Sequence, residues 1–293
     1  MSEASIPDPA APLTRSSNLR RRQLVSRAAE LAATAAAVVA VSALAIVVYT
    51  VVSRGAKAID LDFVFTGYPT GVGPMLLGTL VIALVATVMA MPVGVLIALY
   101  LTEYAGARGS GALRLTLDLL NGLPSIILGL FVFALLVDHK QQSGFAGAVA
   151  LAIIELPLIA RGSQEVLLLV PKGLREASEA LGVARWRSVL TVVLPTALGG
   201  IVTGVVLAIA RIIGETAPLL ITVGVVSSVN TNPFDGRMQN LAVFAFNSYK
   251  SPGVPPEPSL DRAWTAALVL IMIVMILNVG ARFIYRRFGT EIR

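Results

Sequence analysis

Residues 168–195, LLVPKGLREASEALGVARWRSVLTVVLP, carry the reading that decides the fold. REASEAL is built of good helix formers, Gly182 offers a left-handed turn, and ARWRSVLTVV resumes helical spacing. Pro195 ends the segment or opens the next helix. The spacing predicts two short helices meeting at a glycine elbow. Leu181, Val183, Trp186 and Val189 would give that elbow an apolar knob, rimmed by Glu176, Glu179, Arg185 and Arg187. Such an elbow can lie in a membrane interface with Trp186 among the headgroups. It can equally plug into a partner, with an apolar anchor and a charged rim. Spacing alone leaves both open.

Outward from the elbow the chain is apolar. Of its 293 residues, 56% are hydrophobic and only 14% charged, where soluble domains carry about 25% charged residues. Apolar runs of about 20 residues read as membrane spans. Six are predicted, at 28–52, 74–101, 116–137, 145–167, 196–223 and 263–285, which makes an all-α membrane protein. The second and fifth exceed what a bilayer needs. With the N-terminus placed in the cytoplasm, sixteen of the 23 Lys and Arg fall on inside segments and six outside, Arg211 lying within a span. Basic residues favour the cytoplasmic side, so both termini are expected inside. The expected organisation is a basic tail over 1–27, disordered over its Ala/Pro/Ser-rich first 18 residues, and a six-helix transmembrane domain over 28–293. The elbow over 168–195 is then a cytoplasmic loop, and 224–262 an extracytoplasmic one. The first apolar run is longer than a signal-peptide core and reads as an uncleaved signal anchor.

The fifth span, GGIVTGVVLAIARIIGETAPLLITVG (199–224), holds two charges, Arg211 and Glu215. An ionisable side chain at membrane depth costs about 2.5–3.5 kcal/mol on insertion scales, so it is rarely there without a partner or a task. Four residues apart, the two would share one helical face. Either they form a self-neutralising pair that locks the helix, or Arg211 is the contact for an anion in transit. Glu155 in the fourth span is a further acid at depth, expected to face the bundle or an interface between chains. Pro92 predicts a kink in span two, Pro157 a break in span four, Pro124 and Ser125 a start or kink of span three, and Thr216–Pro218 a break in span five. Small residues at Gly73–Gly78 and Gly199–Gly204 would allow close helix approach. Within 224–262 a short surface helix is expected near 237–249, followed by a Pro-rich turn and serving to dock a delivering protein or merely to connect. His139, in an outside loop, is expected to be solvated.

At the elbow the residues resemble a known family. Permease subunits of ABC importers carry Glu-Ala-Ala, three residues, Gly, nine residues, Ile, one residue, Leu-Pro. Here the pattern stands as Glu176-Ala177-Ser178, Gly182, Val192 and Leu194-Pro195, departing at Ser178 and Val192. The resemblance implies the type I ABC importer permease fold and makes the elbow a coupling loop for an ATPase, including Trp186. TEYAG (102–106), LRLTLDLLNGLPSIILGLFVFALLV (113–137), FAGAVALAIIELPLIAR (145–161) and ARIIGETAPLLIT (210–222) further resemble the phosphate importers' PstA-type permeases. Molybdate and sulfate permeases carry a Gly-Glu-Phe-Gly-Ala type segment where this chain has Gly214-Glu215-Thr216-Ala217-Pro218.

The resemblance implies a phosphate pathway formed with a second permease of the PstC type. It also implies two ATP-binding subunits of the PstB type and an extracytoplasmic phosphate-binding protein of the PstS type. Arg211, Glu215, Arg161, Gln164 and Glu165 are the candidate pathway residues. Arginine offers a permanently charged fork for two oxygens of an oxyanion. Glu215 would balance Arg211 when the anion is absent. In the family an acid commonly follows the arginine at 161 by three positions; here that position is Gln164, with Glu165 one further on. Arg161 is either a pathway residue or a headgroup anchor.

Composition narrows the competing classes. No cysteine is present, which removes thiolate nucleophiles and thiolate metal sites, and one histidine removes a His-rich metal site. A membrane-embedded enzyme would have to rest on a carboxylate pair such as Glu155 with Glu215. No GxxxxGK[ST] phosphate loop exists, so ATP is expected to be used by a partner subunit, with no cofactor on this chain. A passive channel has no use for the coupling loop. The net charge of +6 sits at the ends of the spans, so no nucleic acid is expected as partner.

Overall fold

The computed structural model describes residues 19–67, 71–138, 141–226 and 229–288. The tail over 1–18 and His139 lie outside the described residues. Residues 1–50 and 51–293 form two compact units. In the first, the described residues belong to a single helix, α1 (Leu19–Gly55), that ends just inside the second. Its apolar side chains are exposed on all sides, as suits a helix whose surroundings are lipid.

Among its described residues, the second unit's regular elements are all helices. Its elements are α2 (Leu61–Phe65), α3 (Gly73–Leu99), α4 (Ala107–Gly122), α5 (Ser125–Val132), α6 (Gly144–Leu168), α7 (Lys172–Ala180), α8 (Arg185–Ser188), α9 (Leu194–Ile213), α10 (Ala217–Thr222), α11 (Leu241–Lys250) and α12 (Glu257–Phe288). Three π-helical turns extend them: Tyr100–Tyr104 after α3, Phe133–Val137 after α5, and Val189–Val193 between α8 and α9. Among the described residues, five continuous helical stretches are long and apolar enough to cross a membrane: 20–55, 73–104, 144–168, 185–213 and 257–283.

The third span is not a single rod but bends where Pro124 and Ser125 were expected to start or kink it. It is broken between Gly122 and Ser125, and its two halves are bent by 99°. Pro124 lacks the N–H that Leu120 would need four residues on, and its ring would meet that carbonyl. It counts as a sixth span only if the bent pair is taken together. Other prolines behave differently. α6 runs unbroken through Pro157, against expectation. Pro195 lies in the first turn of α9, which continues from α8 through the π turn over 189–193. A π turn widens the backbone ring just where a proline would otherwise collide with the preceding turn.

The core lies between α3, α6 and α9. Small residues on α3 (Ala83, Ala86, Ala90) let α6 approach, with Leu151 and Ile159 filling the space. α12 closes the side of α9 and carries α11. The expected surface helix is α11, four residues shorter at its start, capped by Asn240, whose side chain accepts from the amides of Ala242 and Val243. Its first turn is not on the surface: Leu241 is fully buried and donates its N–H to Thr79 Oγ1 of α3 at 2.8 Å. Gly78 makes that approach possible, since a Cβ there would overlap the carbonyl oxygen of Gln239.

Candidate functional site

The elbow is present, with one arm short and the other the beginning of a long helix. α7 ends in a two-bond cap: Gly182 N–H donates to Glu179 O (2.9 Å) and Val183 N–H to Ser178 O (3.1 Å). This cap needs a left-handed residue, and Gly182 sits at φ +72° with open space around it. A side chain at Gly182 is therefore opposed by backbone strain of about 1–2 kcal/mol, not by packing. Ser178 Oγ meets Ser188 Oγ at 2.5 Å, both buried, which closes the angle between α7 and α8. Leu181 is 82% exposed and Trp186 61%, standing out as the knob. Glu176, Ala177, Glu179, Arg185 and Arg187 are exposed around them. Val189 does not belong to the knob; it is buried in the helix core. Leu194 is half-buried and Pro195 exposed.

One arginine missed in the sequence holds the elbow to the bundle. Arg175 of α7 donates from Nε (3.0 Å) and Nη2 (2.8 Å) to Glu103 Oε1. Its Nη1 reaches Val170 O (2.6 Å), and Nη2 also reaches Leu167 O (2.9 Å). These carbonyls lie at the end of α6, where Pro171 cannot donate to Leu167 as the next helical residue would. Glu103, in the π turn after α3, is 5% exposed. Beside it, Arg185 of α8 stands over the Tyr104 ring, 5.6 Å from its centre. The sequence signal was Glu103 itself, an acid at the end of an apolar run, but nothing local named its partner 72 residues away.

Arg211 and Glu215 are not the helical pair their spacing suggested. α9 ends at Ile213, and Glu215 lies in the turn beyond it, its N–H bonded to Ile212 O. Pro218 stands four residues after Gly214 and stops the helix there. No ion pair joins the two among the described residues. Arg211 is exposed, on one face with Leu207, also exposed, and Gly204, beside which a Cβ would meet nothing. That face of α9 is uncovered in the single chain.

Arg161 of α6 forms an ion pair with Asp118 of α4. Its compensating acid thus comes from another helix, while Gln164 is buried and Glu165 exposed on α6 itself. The acid at 118, inside a predicted span, was the signal for it. Glu155 is fully buried between α6 and α3, and Thr87 Oγ1 lies 2.9 Å from its Oε1. A carboxylate pair of Glu155 with Glu215 has no support in this arrangement: Thr87 is the residue Glu155 meets, and Glu215 lies beyond the end of α9. Among the described residues no cluster of His, Asp or Glu is arranged to hold a metal ion.

Comparison with known proteins identifies this architecture. Residues 90–293 match the family of binding-protein-dependent transport system inner membrane components. The chain belongs to that family. It is 41% identical over 258 residues to the phosphate transport system permease protein PstA 1 of Mycobacterium tuberculosis, covering 84% of each chain. It is 37% identical over 279 residues to the phosphate transport system permease protein PstA of Xylella fastidiosa, covering 92% of this chain and 95% of that one. Among solved structures, a bacterial alginate ABC transporter matches 93% of this chain and 99% of its own with a TM-score of 0.61 at 13% identity. The MetNI methionine ABC transporter matches 74% and 94% with a TM-score of 0.57 at 23% identity. At such identities these two speak for the fold alone, which is that of ABC importer permeases. The family's members are transport subunits, not enzymes.

Proposed function

We propose that the chain is one of two permease subunits of an ATP-driven importer of inorganic phosphate, with Arg211 as the anion's contact. The observation that carries the site is Arg211 itself, a cation exposed at the end of a membrane-length helix, on a face that also holds Gly204 and Leu207 and, among the described residues, has no acid bonded to it. The likeness to PstA permeases over most of the chain supports phosphate as the anion. A second permease of the PstC type covers this face of α9, and the pathway runs between the two. Phosphate presents paired oxygens to the guanidinium fork, and Glu215, beyond the helix end, acts on the anion's exit and not as its ligand. Transit requires contacts weak enough to release. Arg161, balanced by Asp118, and the neighbouring Gln164 and Glu165 line the same route nearer the elbow.

The elbow enters a groove of a PstB-type ATP-binding subunit, two copies of which hydrolyse ATP on the cytoplasmic side. A PstS-type protein delivers phosphate on the other. The excess of basic residues on the elbow's side of the helices supports both termini lying in the cytoplasm of the cell that carries this inner-membrane protein. Closure of the ATPases moves the elbow and rocks the helices, opening the site alternately to either side. Replacing Arg211 by Ala tests the reading: the complex still assembles, while phosphate uptake falls by at least about tenfold, the loss of a hydrogen bond to a charged group. Normal uptake by that variant overturns the anion contact, and uptake of sulfate or molybdate in preference to phosphate overturns the substrate.

A further inference from the structure

We propose that Glu103 and Arg175 form the link by which the elbow draws α3 into the transport motion, a role that rests on the importer reading above. The elbow is joined through the chain to two long helices. α7 follows α6 after Leu169–Pro171, and α8 runs into α9 through the π turn. It has no such connection to α3, although α3 makes the most extensive packing in the bundle, against α6. α7 itself packs on α8 and on the π turn over 189–193, and on no long helix to a comparable extent. Its connection to α3 is therefore made by side chains, and the structure shows which.

Both arms of the elbow grip one five-residue segment, the π turn Tyr100–Tyr104 that continues α3. Arg175 of the first arm holds Glu103 with two donors, and Arg185 of the second arm lies over Tyr104. Arg175 is anchored in turn to Leu167 O and Val170 O, so one guanidinium joins α7, the end of α6 and the end of α3. Glu103 is buried and has Arg175 as its partner, so water cannot readily take the guanidinium's place. The exposed docking residue Glu176 is the next residue along the chain from Arg175, so force received at the rim enters beside the link. Glu103 and Arg175 are thus positioning residues: neither touches phosphate or nucleotide.

The test uses the complete transporter reconstituted in liposomes, with ATP hydrolysis and phosphate uptake measured together. Glu103→Leu is expected to keep the ATP-binding subunits bound and hydrolysing ATP while phosphate moved per ATP falls by about tenfold, the worth of a hydrogen bond to a charged group. Glu103→Gln, which keeps size and one acceptor, should fall in between. An unchanged ratio of phosphate to ATP in Glu103→Gln and Glu103→Leu overturns the link. So does loss of assembly in both, which would make the pair a folding contact only. Failure of the importer reading is separate: the unsubstituted complex would then take up no phosphate at all.

Discussion

Ser178 stands where the importers resembled by this sequence carry alanine, and its hydroxyl is buried against that of Ser188 at 2.5 Å. Ser178 Oγ also donates to Arg175 O at 2.8 Å, so removing Ser178 leaves Ser188 buried without its partner, at a cost of about 1 kcal/mol, whereas removing Ser188 leaves Ser178 still bonded. Ser178→Ala should lower the melting temperature of the purified complex more than Ser188→Ala does, and the double variant should be no less stable than Ser178→Ala alone. Additive losses would mean that the hydroxyls act independently. Residue-scale chemistry of this kind was the least legible part of the sequence. Ser178 read as a small departure from a motif because its partner is ten residues on, across a turn. Arg161 was matched with Gln164 and Glu165 on its own helix, whereas its acid, Asp118, comes from α4. The Arg211–Glu215 spacing was read as helical, although Gly214 and Pro218 between and beyond them already carried the stop signal.

At the scale of elements, the elbow was readable because a cap is local: helix formers, one glycine and a resumed helical pattern occupy adjacent positions. The requirement at Gly182 is purely one of backbone conformation, since space around it is open. Gly182→Val should therefore leave the long helices intact while weakening the elbow by about 1–2 kcal/mol. The ATP-binding subunit should then co-purify in reduced amount with a permease that is inserted normally, a result measured by detergent pull-down. Undiminished co-purification would remove the elbow from the docking surface. Apolar length identified the long helices equally well, because composition alone sets it. It is silent on the bend of the third span, where the apolar run continues across Pro124 while the backbone turns by 99°; the proline itself was the signal there. Hydropathy reports what a residue prefers to touch and not the direction in which the chain leaves it. Pro157 misled in the opposite sense: a proline in a long helix frees one carbonyl, and the helix over 144–168 continues through it.

For the molecule as a whole, the uncovered face of α9 with Gly204, Leu207 and Arg211 marks where a single chain is incomplete. The absence of cysteine makes this directly testable. A cysteine placed at Leu207 should form a disulfide or short cross-link with a cysteine on the second permease in the assembled transporter, and none when this chain is expressed alone. Lack of any cross-link from Leu207 across a scan of the second permease would put that face against lipid. The two broken segments hold a last consequence. α5 with its π turn covers 125–137 and α10 has six residues, and each follows a break in its helix. At membrane depth such short helices stay wound, because a freed N–H or C=O finds no water to bond, but they are held in place only by what they pack on. Here they lie against each other, with Gly129 tight on Pro218, and both rest on α6. Neither can shift without uncovering the other, so the pair should move as one cooperative unit, well below the free energy needed to separate the long helices. In native-state hydrogen exchange the amides of 125–132 and 217–222 would then share a single opening step, and the chain would possess a part able to shift as one piece while the rest of the bundle stays in place.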